Sequence, residues 1–134
     1  MSSNSVSSEY IPGSCNIGKG EVQRRQFVAI IGLFFTITTG VGLLTTDAST
    51  GAKLTIFLPA MIFAIGFIQA CKKFCLAYGF AGTFNFGKLG KISRVASAQD
   101  RRADQITALK ILGQAVLLAT AITATFIIIG SIGN

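Results

Sequence analysis

Histidine is missing from this chain of 134 residues, and acidic side chains are scarce, with 5 Asp and Glu against 12 Lys and Arg. Without histidine, the usual general base of enzymes and the commonest metal ligand are absent, which removes many enzyme classes. Charge of either sign is also rare, at 13% of residues, whereas 51% are hydrophobic. This composition is too apolar for an ordinary soluble domain and indicates a membrane protein.

A secretory signal peptide is not expected, because the sequence does not open with a basic patch followed by an apolar core. Residues 1–14 are instead rich in serine, with Pro12 and Gly13, and we predict a flexible tail there. We assign residues 1–25 to a cytoplasmic tail and turn, with a helix that begins near Glu21. Residues 26–134 are assigned to a membrane domain.

Three uncharged runs are long enough to cross a bilayer. They begin at Gln26, at Leu54 and at Ile111. At about 1.5 Å per residue, a helix of about 20 residues spans the hydrocarbon core of about 30 Å. The predicted fold is therefore all-α, with three transmembrane helices at about 26–46, 54–71 and 111–130. None of the runs carries an acid or base at mid-membrane depth, so transport by this chain alone is not expected.

Small residues recur at four-residue spacing in these runs, which places them on one face of each helix. Such faces allow two helix backbones to approach closely, and we favour packing within the protein over packing against another subunit. The predicted packing residues are Gly32, Thr36, Gly40, Ala60, Ala64, Ala115 and Ala119.

The segment between the second and third runs is basic, glycine-rich and aromatic, and is predicted to be a cytoplasmic loop at the lipid interface. A helical extension of the third span is expected from about Ile92, with Ser97 as a possible cap. Nearly all cations lie in this loop or before the first span, so the N-terminus is expected in the cytoplasm and the C-terminus outside. The predicted interface residues, in contact with anionic lipids, are Arg24, Arg25, Lys72, Lys73, Phe80, Phe84 and Phe86. Nucleic-acid binding is not expected, because the loop lacks the strands of an RNA-binding platform.

The three cysteines are the remaining candidates for chemistry. Cys71 and Cys75 are four residues apart, which predicts that they share one side of a continuing helix, and topology places Cys15 at the same membrane edge. A metal or iron–sulfur site is disfavoured, because a fourth ligand and the usual two-residue spacing are missing. We favour inert, reduced thiols over the alternatives of a redox role or a pairing of Cys15 with Cys75.

Several short motifs carry a resemblance to a known family. They are Cys15-Asn16-Ile17-Gly18, Arg24-Arg25, Phe57-Leu58-Pro59-Ala60, Gly66-Phe67-Ile68-Gln69-Ala70, Phe74-Cys75 with Tyr78-Gly79, and Arg101-Arg102-Ala103-Asp104. Over roughly residues 13–125 the chain resembles an uncharacterised family of small bacterial inner-membrane proteins. More distantly it is similar to a two-span membrane domain of unknown function that sometimes anchors a rhodanese, from which the third span and Leu76 depart. The resemblance implies that Cys15 and Cys75 belong to the family pattern, and it supplies no activity.

Together these features predict a non-catalytic protein of the bacterial inner membrane that serves as an accessory or scaffolding subunit of a larger complex. The reason is the number of small-residue faces for only three helices, since some of them can meet another protein. A respiratory or photosynthetic energy-transducing assembly is a natural host. No cofactor is predicted, although pigment or lipid contact is open. The alternative is a membrane thiol protein that handles sulfur, metal or redox equivalents through Cys15 and Cys75.

Overall fold

The structure is a computed structural model that describes residues 10–87 and 92–132, and the chain in these ranges is mainly helical. Three helical segments are long and apolar enough to cross a membrane, as the three uncharged runs predict. The elements in chain order are α1 (Lys19–Thr45), α2 (Thr50–Lys53), a 3₁₀ turn (Leu54–Ile56), α3 (Phe57–Lys72), α4 (Leu76–Ala81), β1 (Thr83–Phe84), β2 (Ser93–Arg94) and α5 (Ala98–Ile132).

The helix ends differ from the predicted ones in two places. α1 begins at Lys19, two residues before the predicted start near Glu21. α5 begins at Ala98 rather than near Ile92, because Ser93 and Arg94 pair as a strand with β1. The predicted cap is present, since the Oγ of Ser97 accepts a hydrogen bond of 3.3 Å from the backbone N–H of Asp100.

α3 lies between α1 and α5 and packs against both. At its crossing with α1, a Cβ on Gly32 would lie 2.4 Å from the backbone nitrogen of Phe63. On the other side of the same crossing, a Cβ on Gly66 would lie 2.8 Å from the nitrogen of Ala29. Any larger side chain at either glycine would therefore push the two backbones apart.

The contact between α3 and α5 consists of small side chains that are fully buried. It contains Ala60, Ala64, Ala115 and Ala119. Thr36 and Gly40 are likewise buried on α1. Gly32 and these alanines thus lie in contacts within this chain, whereas Thr36 and Gly40 also line an open groove between α1 and α5.

Residues 10–14, which the sequence predicts to be flexible, are held by hydrogen bonds to α5. The backbone N–H of Gly13 donates to the Asp104 carboxylate at 2.7 Å, and the Thr107 hydroxyl donates to the Gly13 carbonyl at 2.6 Å. The prediction was wrong here because the stabilising contacts are far away in the sequence. The rest of the predicted tail, residues 1–9, and the predicted loop cations Lys88 and Lys91 lie outside the described residues.

Candidate functional site

At one end of the bundle, the segment before α1 meets the segment that follows α3. We refer to residues 10–25, 69–87 and 93–107 at this end as the polar cap. The exit from α3 is abrupt, because Lys73 adopts a left-handed backbone conformation with a φ of 55° and ends the helix. The chain then turns back, so that the following residues face the start of α1.

Asn16 connects three segments of the chain in the polar cap. Its side chain is fully buried, and its Oδ1 accepts a hydrogen bond of 2.7 Å from the backbone N–H of Cys75. Its Nδ2 donates to the Cys75 carbonyl at 3.2 Å, and its backbone carbonyl accepts from the N–H of Asn85 at 2.9 Å. An amide that satisfies both a donor and an acceptor in this way fixes the separation of the segments that it joins.

Glu21, in the first turn of α1, is a fully buried carboxylate with three side-chain partners. Its Oε1 accepts from Nη1 of Arg25 at 3.0 Å, and its Oε2 accepts from Nδ2 of Asn85 at 3.1 Å and from the Tyr78 hydroxyl. Burial and the hydrogen bond to this carboxylate raise the pKa of Tyr78. A buried charge with this many donors is compensated within the protein.

Arg25 brings the third cysteine into the same network. Its Nη2 lies 2.8 Å from the Sγ of Cys75, while its Nη1 holds Glu21, and its guanidinium carbon lies 5.9 Å from the centre of the Tyr78 ring. Arg25 was predicted to anchor the protein at the lipid interface. The structure corrects this, because the guanidinium turns inward to a carboxylate and a sulfur atom.

A second buried carboxylate, Asp104 on α5, holds the first described residues. The Tyr10 hydroxyl donates to its Oδ2 at 2.5 Å, and the Tyr10 ring stacks on Phe84 with ring centres 4.7 Å apart. Burial, together with the hydrogen bond to Asp104, raises the pKa of Tyr10. Gly13, which also donates to Asp104, has a φ of +72°, a conformation that favours glycine.

The cysteines do not share one helix face as predicted. α3 ends at Lys72, so Cys71 is the exposed last-turn residue of one helix and Cys75 is the buried residue before the next. Cys15 is half-buried, and its Sγ lies 3.7 Å from the carbonyl oxygen of Ile17. All three are thiols in the structure. Cys71 and Cys75 are therefore in different environments despite their spacing.

The other predicted interface residues are divided between the surface and the polar cap. Arg24, Lys72, Lys73 and Phe80 are exposed. Phe84 is partly buried against Tyr10, and Phe86 is partly buried, with its backbone close to Gly18. A Cβ on Gly18 would lie 3.0 Å from the Phe86 backbone, which ties the start of α1 to this segment.

Sequence reasoning missed the buried hydrogen bonds of several residues of the polar cap, namely Tyr10, Asn16, Glu21, Asn85 and Asp104. One signal was available, since acids and amides next to apolar runs are unusual enough to suggest buried partners. Within the described residues, every fully buried side-chain nitrogen or oxygen has a hydrogen-bond partner. In the same part of the chain, no three His, Cys, Asp or Glu side chains are grouped to hold a metal ion.

The fold and the polar cap define a class of protein: a bundle of three long apolar helices, closed at one end by a buried hydrogen-bond network. No protein-family model, curated protein or solved structure matches this chain. The resemblance to small bacterial inner-membrane proteins stays a prediction.

Proposed function

We propose that this is a non-catalytic integral protein of the bacterial inner membrane, and that it serves as an accessory or scaffolding subunit of a larger membrane complex. The observation that carries the proposal is the division of polar groups in the cap. The buried ones hold the chain segments together, whereas cations and an aromatic ring remain on its outside. The cap is then a fixed surface for a partner.

Membrane insertion is supported by the outer surface of the helices. It consists of large apolar side chains that are exposed in the isolated chain, for example Phe27 at 63%, Phe34 at 61% and Leu117 at 71%. A water-soluble protein rarely leaves such a large continuous apolar surface exposed, because hydration of that surface is unfavourable. In a lipid bilayer the same surface is fully solvated by acyl chains.

The proposed orientation follows from the distribution of charge. The polar cap carries exposed cations at Lys19, Arg24, Lys72, Lys73, Arg94 and Arg102. At the opposite end, Lys53 is the single cation among the described residues. By the positive-inside rule, the cap lies in the cytoplasm, as does the N-terminus, and α5 ends outside.

The subunit role rests on the exterior of the cap, since most of the predicted packing residues are used in contacts within the chain. Arg24 and Lys72 are exposed, and Phe80 is 40% exposed. Arginine and aromatic side chains contribute strongly to protein interfaces when they are desolvated by a partner. A complementary partner surface would be acidic and would lie at the cytoplasmic face of the membrane.

Mild detergent extraction from native membranes, followed by native gel electrophoresis and mass spectrometry, tests this role. We expect the protein to migrate with other membrane proteins, far above its own mass of 14.1 kDa. The double substitution R24Q/K72Q is expected to release it, whereas K110Q, a matched change of an exposed lysine on α5, is not. Migration of the unaltered protein as a free species of its own mass would contradict the proposal.

The second candidate function is a membrane thiol protein, and the contact between Arg25 and Cys75 favours it. The guanidinium lies 2.8 Å from the Sγ of Cys75, and a neighbouring cation is typical of cysteines that take part in sulfur and redox chemistry. Burial of Cys75 argues against the thiol function, because a reagent cannot reach the sulfur while the cap is closed.

Isotope-coded alkylation of membranes under reducing and oxidising conditions distinguishes the two functions. Cys71 is exposed and serves as an internal reference in the same chain. If the subunit role holds, Cys71 is alkylated quickly and Cys75 stays protected under both conditions. A redox-dependent change at Cys75 or Cys15, at constant labelling of Cys71, would favour the thiol function instead.

A further inference from the structure

Lys53 is a buried cation at the end of the bundle opposite to the polar cap. It is only 7% exposed, although it lies on the short helix α2, directly after a polar stretch of sequence. A Cβ placed on Gly130 would lie 2.9 Å from its Nζ and 3.3 Å from Cδ2 of Leu44. The ammonium thus lies between the last turns of α1 and α5, next to an α5 residue that has no side chain.

The ammonium of Lys53 has no hydrogen-bond or ion-pair partner among residues 10–87 and 92–132. Every fully buried side-chain nitrogen in this part of the chain has a hydrogen-bond partner. The Lys53 ammonium has none among the described residues, so its nitrogen is not fully buried and part of its surface stays accessible. An ion that is removed from water without a counter-charge is strongly disfavoured. A buried cation of this kind in a membrane protein indicates a functional site.

The ends of the two neighbouring helices compensate this charge only in part. On the side of α1, the hydroxyl of Thr45 donates to the Val41 carbonyl at 2.9 Å and that of Thr46 donates to the Gly42 carbonyl at 2.8 Å. The remaining attraction to a helix C-terminus is small beside the cost of burying an ion. The charge of Lys53 is therefore not fully compensated within the described residues, and an anion beside it would be stabilised.

An apolar groove of about 480 Å³ extends from this position along the bundle, between α1 and α5. Leu44 and Ile129 line its end beside Lys53, and Thr36 lines its other end. From Leu44 to Thr36 it follows α1 for about 12 Å. Thr36 adds no free donor, because its hydroxyl bonds to the carbonyl of Gly32 at 2.7 Å.

Gly40 lines this groove at a point where α1 lies close to α5. A Cβ on Gly40 would already lie 3.3 Å from the ring of Phe126 on α5 and 3.4 Å from Ile56 below it. A long apolar chain can pack against the walls of such a groove, whereas a polar ligand would make few favourable contacts with them. The volume lies within the range of ordinary ligand sites.

We infer that Lys53 and this groove form a specific site for one anionic glycerophospholipid of the outer leaflet. The phosphate bonds to the Lys53 ammonium, and one acyl chain occupies the groove between α1 and α5. The combination commits to this occupant because a cation lies beside Leu44, which lines the end of an open apolar groove. The site rests on the membrane insertion proposed above, and it is separate from the cationic exterior of the cap.

Native mass spectrometry of the detergent-solubilised protein, titrated with phosphatidylglycerol or with zwitterionic phosphatidylcholine of the same chains, tests the site. We expect one phosphatidylglycerol to bind with preference over phosphatidylcholine. K53Q is expected to weaken the binding of phosphatidylglycerol by about tenfold or more, as loss of one charge-assisted hydrogen bond implies. K110Q, which changes an exposed lysine elsewhere on α5, is expected to leave it unchanged.

A second variant keeps the test independent of any folding defect in K53Q. Val41 lines the groove and is 58% exposed, so that V41W fills the groove without an internal clash. It is expected to weaken phosphatidylglycerol binding while the circular dichroism spectrum stays that of the wild type. Equal binding of both lipids, or full binding by K53Q and V41W, would overturn the site.

A photoactivatable residue at position 41 identifies the occupant in membranes. A lipid adduct is the expected product, whereas an adduct to a helix of another protein overturns the lipid assignment. Failure of the site and failure of the proposed function are distinguishable. A chain recovered from the soluble fraction contradicts insertion, while an inserted chain without lipid preference contradicts the site alone.

Discussion

The Nη2 of Arg25 lies 2.8 Å from the Sγ of Cys75, and through this contact the second turn of α1 is joined to the residue that precedes α4. The same guanidinium bonds to Glu21, which in turn bonds to Tyr78 and Asn85. These five residues therefore form one connected network, and changes to its members are expected to affect the contact between α1 and the chain that follows α3.

Substitution of Glu21 tests the network at its centre. E21Q is expected to lower the free energy of unfolding by about 3 kcal/mol, because the Arg25 guanidinium loses its carboxylate in a largely buried position. Denaturation in mild detergent, followed by circular dichroism, measures the change. R24Q at the exposed neighbouring position is the control, with almost no expected effect. If E21Q lowers the free energy of unfolding no more than R24Q does, the ion pair between Glu21 and Arg25 contributes little to stability.

The close crossing of α1 and α3 gives a second prediction. G32A is expected to destabilise the bundle by about 2 kcal/mol, because the new Cβ would lie 2.4 Å from a backbone atom of Phe63. G113A is a matched control, since a Cβ on Gly113 meets nothing within 4 Å. Its effect is expected to be neutral or slightly stabilising, from the higher helix propensity of alanine. Equal behaviour of the two variants in thermal unfolding would contradict the packing.

The attachment of the first described residues to α5 depends on Asp104. D104A removes the acceptor of both Tyr10 and Gly13, and is expected to release the segment while the helices remain folded. Cleavage by chymotrypsin after Tyr10 then becomes faster. D100A, one turn earlier on α5, is expected to be cleaved at the wild-type rate. Unchanged protection of Tyr10 in D104A would mean that stacking on Phe84 alone holds the segment.

Alkaline pH is expected to weaken the polar cap. Burial and hydrogen bonding raise the pKa of both Tyr78 and Tyr10 in the folded protein. For a raised pKa, the stabilisation is complete below the unfolded pKa, about 10 for tyrosine, and is lost as the pH rises towards the folded value. Stability measured in detergent is therefore expected to fall above about pH 10. Y10F/Y78F should have a smaller dependence on pH in this range, and an identical dependence would contradict the assignment.

The sequence predicts the helices better than the polar cap, because the interactions in the cap join residues that are far apart in the sequence. The uncharged runs and the small residues Gly32 and Ala60 define helices and their contact faces through local spacing. The hydrogen bonds of Asn16 and Asp104 join residues that are 59 to 94 positions apart, and no local pattern encodes them. The reversal at Lys73 was missed for a related reason, since a Lys-Lys pair is compatible with a continuing helix.

The central claim is that the three apolar helices cross a membrane with the polar cap in the cytoplasm. Labelling of spheroplasts with a membrane-impermeant maleimide tests it most directly, using one introduced cysteine at a time, at either of two exposed positions, in a C15S/C71S background that retains the buried Cys75. T50C, at the start of α2, is expected to react in intact spheroplasts. A96C, in the polar cap, is expected to react only after permeabilisation. The reverse pattern, or reaction of both positions from outside, would contradict the account.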